Sequence, residues 1–138
     1  MASRSLTDLK PPVQKKAQRF LEACAAQGID VMIYCTYRSP VEQDNLYRQG
    51  RTSQGKIVTN ARGGESYHNW GAAFDCVPLN NGKPAWDDAE SYRKIGVIGE
   101  SVGLEWAGRW TGKLKETAHF QYSGGLSLAE LRLGKEIV

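Results

Sequence analysis

Ser66-Tyr67-His68-Asn69-Trp70-Gly71-Ala72-Ala73-Phe74-Asp75 is the stretch on which the reading of this chain turns. It runs from the end of a polar, glycine-bearing segment into a short apolar run. Residues 72–77 therefore read as a strand entered from a long loop. On a strand the side-chain period is two, so Ala73 and Asp75 share a face and Cys76 points to the other one. His68, on the incoming loop, is expected to fold back toward Asp75. Gly71 and Ala73 are expected to leave space beside a bound ion. The chain has only two histidines. The second lies in Glu116-Thr117-Ala118-His119-Phe120-Gln121, where residues 118–122 read as another strand.

Around these two strands the pattern is mixed. Pro11-Pro12 opens a helix whose inner face is Val13, Ala17, Phe20, Leu21 and Cys24, and Gly28 stops it. Residues 31–36 read as a buried strand. Ser39-Pro40-Val41-Glu42 has the form of a capping box for a helix reaching about Gln49. Residues 50–66 form a long polar loop of the kind that carries function. Asn81-Gly82 marks a tight turn. Asp87-Asp88 opens a helix with Tyr92, Ile95, Ile98 and Val102 inward and Gly103 at its end. Residues 105–115 read as a loop bordering a cleft, and Ser127 caps a short last helix. These elements predict an α+β fold: one small domain over 1–138 with a short antiparallel sheet and flanking helices.

Composition narrows the function. The chain has 138 residues, 41% hydrophobic and 24% charged, with a net charge of +3. The basic residues are scattered rather than gathered in a stripe, which argues against nucleic-acid binding. A mildly basic chain suits an anionic partner such as a cell wall. No apolar stretch is long enough to span a membrane, and no signal peptide is visible at the N-terminus. Cys24, Cys35 and Cys76 are an odd, widely spaced set, expected to be buried thiols in a reducing cytoplasm. A monomer is expected.

The chemistry follows from the two patterns. His68, Asp75 and His119 are three candidate ligands for zinc. Three protein ligands with a fourth position open is the arrangement of a catalytic rather than a structural ion. Glu116 remains as the candidate base for a water whose proton must be removed. Because it stands three residues before His119, a bend has to turn it toward the ion. Arg38, after the 31–36 strand, is the candidate for steadying negative charge on a substrate oxygen. Ser66 is a candidate substrate contact. Of Trp70, Trp86, Trp106 and Trp110, one is expected in the groove, and Trp110 is the candidate. Gln43, Leu46 and Tyr47 read as packing residues.

Ser66-x-His68-x-x-Gly71-x-Ala73-x-Asp75 followed by Glu116-x-x-His119 resembles the peptidase M15 family, the D-alanyl-D-alanine carboxypeptidase and dipeptidase group of zinc peptidases. Tyr37-Arg38-Ser39, Gln43, Leu46-Tyr47, Gly103-Leu104-Glu105-Trp106 and the 125–131 tail extend the resemblance toward phage endolysins that are L-alanyl-D-glutamate endopeptidases. It implies Zn²⁺ as cofactor, Glu116 as base, and Arg38 and Ser66 on substrate. It further implies peptidoglycan stem peptides as substrate, and a lysis enzyme that waits in the host cytoplasm until a holin opens the way to the wall. A carboxypeptidase or dipeptidase trimming D-Ala, and a wall-binding module stabilised by zinc, are the alternatives.

Overall fold

The computed structural model describes residues 2–138, with Lys113 described by its backbone only. α1 spans Pro11–Ala26 and buries Val13, Ala17, Phe20 and Cys24, the expected stripe without Leu21, which is half-buried. It is followed by β1 (Val31–Cys35) and α2 (Pro40–Arg48). The Ser39–Glu42 capping box of α2 is formed in both directions, which satisfies two of the amides a helix start leaves open. After the long loop come a 3₁₀ turn at Tyr67–Trp70, β2 (Ala73–Asn80) and β3 (Lys83–Pro84). Asn81 and Gly82 both take positive φ, at 52° and 78°, closing the β2–β3 hairpin as expected. α3 (Ala89–Ser101), β4 (Glu105–Trp106), β5 (His119–Gln121) and α4 (Leu128–Arg132) complete the chain. The fold is α+β, as the pattern predicted.

The strands pair antiparallel in the order β1-β2-β5-β4, with β3 on the end of β2. One face of this sheet is the core. Phe74 stands opposite Phe120 with the rings stacked at 5.5 Å, and Phe20 of α1 closes on both. α3 presses on the same core through two glycines. A Cβ on Gly96 would overlap the Trp106 ring, and one on Gly99 the Phe120 ring. Three readings change here. β1 lies at the sheet edge, and all of it but Cys35 is only half-buried, so its apolar run reflects one covered face and not two. Trp106 belongs to β4 and the core, not to a cleft-side loop. Gly71 does not make room for an ion. It ends the 3₁₀ turn in the left-handed region (φ 63°), and a Cβ there would meet Asp8 O and Lys10 N at 3.2 Å.

Among the described residues no helix is long and apolar enough to cross a membrane. All three cysteines are free and buried, and burial pushes the Cys24 thiol up to about 11.

Candidate metal centre and active site

The other face of the sheet carries the chemistry in one row. Cys35 stands opposite Asp75, and Asp75 stands opposite His119, so three neighbouring strands present their side chains side by side. Directly opposed residues share a face, which explains why residues 44 positions apart in sequence meet. His119 Nδ1 lies 3.1 Å from Asp75 Oδ1. The 3₁₀ turn brings in His68 from above, with Nε2 3.2 Å from the same oxygen. Ser66 caps this turn by accepting from the His68 amide at 3.3 Å. The two imidazole rings stand edge-on at 5.0 Å.

Each ring is locked by its remote nitrogen. His68 Nδ1 donates to the Thr36 carbonyl at 2.8 Å, and His119 Nε2 donates to Gln121 Oε1 at 2.8 Å. These bonds fix the tautomers so that His68 Nε2 and His119 Nδ1 can turn lone pairs toward Asp75, the outer-shell pattern that supports metal-binding histidines. Neighbouring donors in a zinc tetrahedron with bonds of about 2.0–2.2 Å stand about 3.3–3.6 Å apart. The two observed spacings fall within a few tenths of that. The donor set, two imidazoles and one carboxylate, is one that zinc accepts.

Charge tells the same story. Burial opposes a charge on His68, but its bonds to Asp75 and Cys35 more than offset this and raise its pKa to about 10. Burial likewise works against the Asp75 carboxylate, yet hydrogen bonds from His119 and His68 hold it well below the ordinary carboxylate range. This largely covered carboxylate thus demands positive charge beside it, and a divalent cation would supply that in place of protons.

Cys35 also lies close. Its sulfur, one His68 nitrogen and an Asp75 oxygen fall within 4.8 Å of one another. However, Sγ sits 3.7 Å from Nδ1, the nitrogen that faces away from Asp75 and already binds Thr36 O. Cys35 thus packs against the ring's remote nitrogen and accepts from Arg38 Nη2 at 3.4 Å.

A cleft of about 1070 Å³ opens above this row, lined among others by Arg38, Ser66, His68, Trp110, Glu116 and His119. The bend that Glu116 requires is present. The His119 amide donates back to the Glu116 carbonyl at 3.3 Å, and Glu116 Oε2 reaches within 3.8 Å of His119 Nδ1. Trp110 lies 5.8 Å from the His119 ring and donates to Glu105 at 2.8 Å. The candidate ligands His68, Asp75 and His119, the candidate base Glu116, and Arg38, Ser66 and Trp110 all border this one cleft.

Arg38 is held by a residue read as packing. Its Nη1 donates to Gln43 Oε1 at 3.0 Å. Gln43 is 1% exposed and donates in turn to Thr59 Oγ1 and to the Ala61 carbonyl. It thus ties the arginine to the 50–66 loop. The Arg38 backbone is clasped to the His68 turn, its amide donating to His68 O and its carbonyl accepting from Asn69. Thr36, Gln43 and Gln121 were not identified from the sequence. A signal existed for Gln121, which lies two residues from His119 on one strand and so shares its face. None existed for Thr36, which acts through its carbonyl.

Comparison with known proteins agrees with this geometry. The VanY family model, D-alanyl-D-alanine carboxypeptidase, matches residues 6–125. The peptidoglycan L-alanyl-D-glutamate endopeptidase CwlK of Bacillus subtilis (strain 168) is 40% identical over 124 residues, covering 83% of this chain and 74% of CwlK. The L-alanyl-D-glutamate peptidase of Listeria phage A118 is 27% identical over 126 residues, covering 88% of this chain and 41% of the phage protein. In fold, the chain is similar to the Serratia marcescens L-Ala D-Glu endopeptidase ChiX (TM-score 0.66, 24% identity, 90% of each chain). It is also similar to a vancomycin resistance D,D-pentapeptidase VanY solved with Zn(II) (TM-score 0.60, 16% identity, 89% of this chain and 77% of that one). With the paired motifs, their convergence on one carboxylate and a family match over most of the chain, the protein belongs to the VanY family of M15 peptidases and is a peptidase.

Proposed function

We propose that the protein is a zinc-dependent peptidoglycan endopeptidase that hydrolyses the L-alanyl-D-glutamate bond of stem peptides. The observation that carries this is the meeting of His68 Nε2 and His119 Nδ1 on a single Asp75 oxygen, with Glu116 beside them in an open cleft. The 40% identity to CwlK over most of its length supports the choice of bond. In this reading His68, Asp75 and His119 hold the ion. Zinc in such a site supplies a Lewis acid for the substrate carbonyl and acidifies water.

The chain's own residues do the rest. Glu116 takes a proton from the attacking water and returns it to the leaving amine, its half-open position letting it reach both. Arg38, aimed into the cleft by Gln43 and Cys35, faces the carbonyl oxygen as charge develops on it. Ser66 and Trp110 line the walls against which the peptide lies.

At about 1070 Å³ the cleft slightly exceeds the range of about 300–1000 Å³ usual for small-ligand sites, which favours a chain running through over a lone D-Ala terminus. Mass spectrometry of digested sacculi decides between them. New D-glutamate N-termini are expected; release of free D-alanine alone would make the protein a carboxypeptidase. Turnover by a protein exhaustively stripped of metal would remove zinc from the mechanism, and zinc-dependent lysis lost on Glu116→Ala would exclude a mere wall-binding module.

The same proposal extends to a phage or prophage lysis enzyme working as a monomer, supported by the phage A118 relative. Expression in a bacterial cytoplasm should leave cells intact, and co-expression with a holin should lyse them. Lysis without the holin would overturn that role.

A further inference from the structure

One aromatic feature of the cleft is unused by this mechanism. The β1–β2 register breaks between Ile33 and Cys35, and the residue in the break is Tyr34. Such a bulge re-aims the side chain it carries. Tyr34 lines the cleft with His68 and Asp75. Its ring meets that of Trp86 edge-on, with centroids 5.2 Å apart at 70°. Trp86, just past the β2–β3 hairpin, is 53% exposed. The indoles of Trp70, Trp106 and Trp110 donate to Gly64 O, Thr117 O and Glu105. Among the described residues no acceptor meets the Trp86 indole. An exposed aromatic ring with a free N–H thus packs against the cleft-lining Tyr34.

We propose that Tyr34 and Trp86 form a subsite for the amino sugar of the glycan strand. This rests on the L-alanyl-D-glutamate reading. In peptidoglycan the L-alanine is joined to the lactyl group of N-acetylmuramic acid, so a cut after that residue lies one residue from a pyranose ring. The sugar must lie beside the metal site, and a ring of C–H bonds packs on an aromatic face while the indole N–H serves a hydroxyl or acetamide oxygen. The subsite makes the enzyme prefer stem peptides still attached to glycan over peptides already released.

Two measurements test it. Titration of ¹⁵N-labelled protein with the N-acetylglucosamine–N-acetylmuramic acid disaccharide, carrying no peptide, should shift the Trp86 indole signal more than those of Trp70 and Trp106. An unmoved Trp86 signal overturns the proposal, whichever bond the enzyme cuts. In kinetics, the ratio of kcat/KM for a disaccharide-linked L-Ala-D-Glu peptide to that for the N-acetylated free peptide should fall on the order of tenfold in Trp86→Ala, one stacking contact's worth. It should recover in part in Trp86→Phe, which keeps a ring face but not the N–H. A ratio unchanged by Trp86→Ala overturns the subsite. Cleavage of neither substrate refutes the choice of bond instead, and the titration still judges the sugar contact.

Discussion

The side chains of His68 and His119 on the cleft floor are 4% and 8% exposed, whereas that of Glu116 on the rim is 62% exposed. The floor is built on strands and a capped turn, and both rings are held at two points. The rim is loop, and it also carries Ile57, Val58 and Leu114, each more than half exposed. The difference separates two tasks. Ligands must be in place before the ion arrives, because any reorganisation weakens binding. A proton carrier must touch water, then the leaving group, and needs room to move between them. Arg38 lies between the extremes: a rim residue with a buried anchor in Gln43.

Substitutions can break this contrast. The largest effect is expected on the floor. His68→Ala should reduce zinc affinity by more than the roughly 100-fold that outer-shell changes cost, and activity with it. Elemental analysis showing full zinc occupancy would contradict its place as ligand. On the rim, Glu116→Gln should lower kcat by about 10²–10⁴ while zinc content and thermal stability stay at wild-type values. Loss of zinc in that variant would move Glu116 to the floor. Gln121→Leu should weaken zinc by about 10–100-fold, read by competition with a chelating dye, because the His119 ring loses its tether.

Gln43→Leu sharpens the middle case. Zinc should be retained and kcat should fall on the order of tenfold as Arg38 loses its aim, with Gln43→Glu restoring part of it. An equal loss in both variants would make Gln43 structural only.

The most gradual effect is on pH. Without a cation, His68 is protonated up to about 10 against its ordinary 6.5, so its contribution to stability is complete below 6.5 and fades as pH rises through 10. Asp75, depressed below its ordinary 3.8, contributes above that value and loses its contribution only on acidification. In the proposed site zinc would have to displace the His68 proton. Its apparent affinity should therefore rise about tenfold per pH unit between about pH 6 and 8, with roughly one proton released per ion in calorimetry. A pH-independent affinity would show that His68 binds no proton there.

Much of this was legible in the chain because it depends on local rules. Both capping boxes, the proline starts of α1 and α2, the Asn81-Gly82 turn and the opposite facing of Asp75 and Cys76 follow from residue types a few positions apart. The candidate ligand set could be named for another reason: few residue types can bind zinc, and the chain has only two histidines. Sequence alone thus determined the α+β class, the helix boundaries and the identity of the candidate ligands. Tertiary structure alone decided that β1 is an edge strand, that Gly96 and Gly99 are contact points for Trp106 and Phe120, and that Gln43 steers Arg38. It alone set the Thr36 carbonyl behind His68 and Tyr34 beside Trp86. Those facts join residues distant in the chain through backbone groups and ring faces, which every residue or many residues possess, so no pattern of side-chain types marks them in advance.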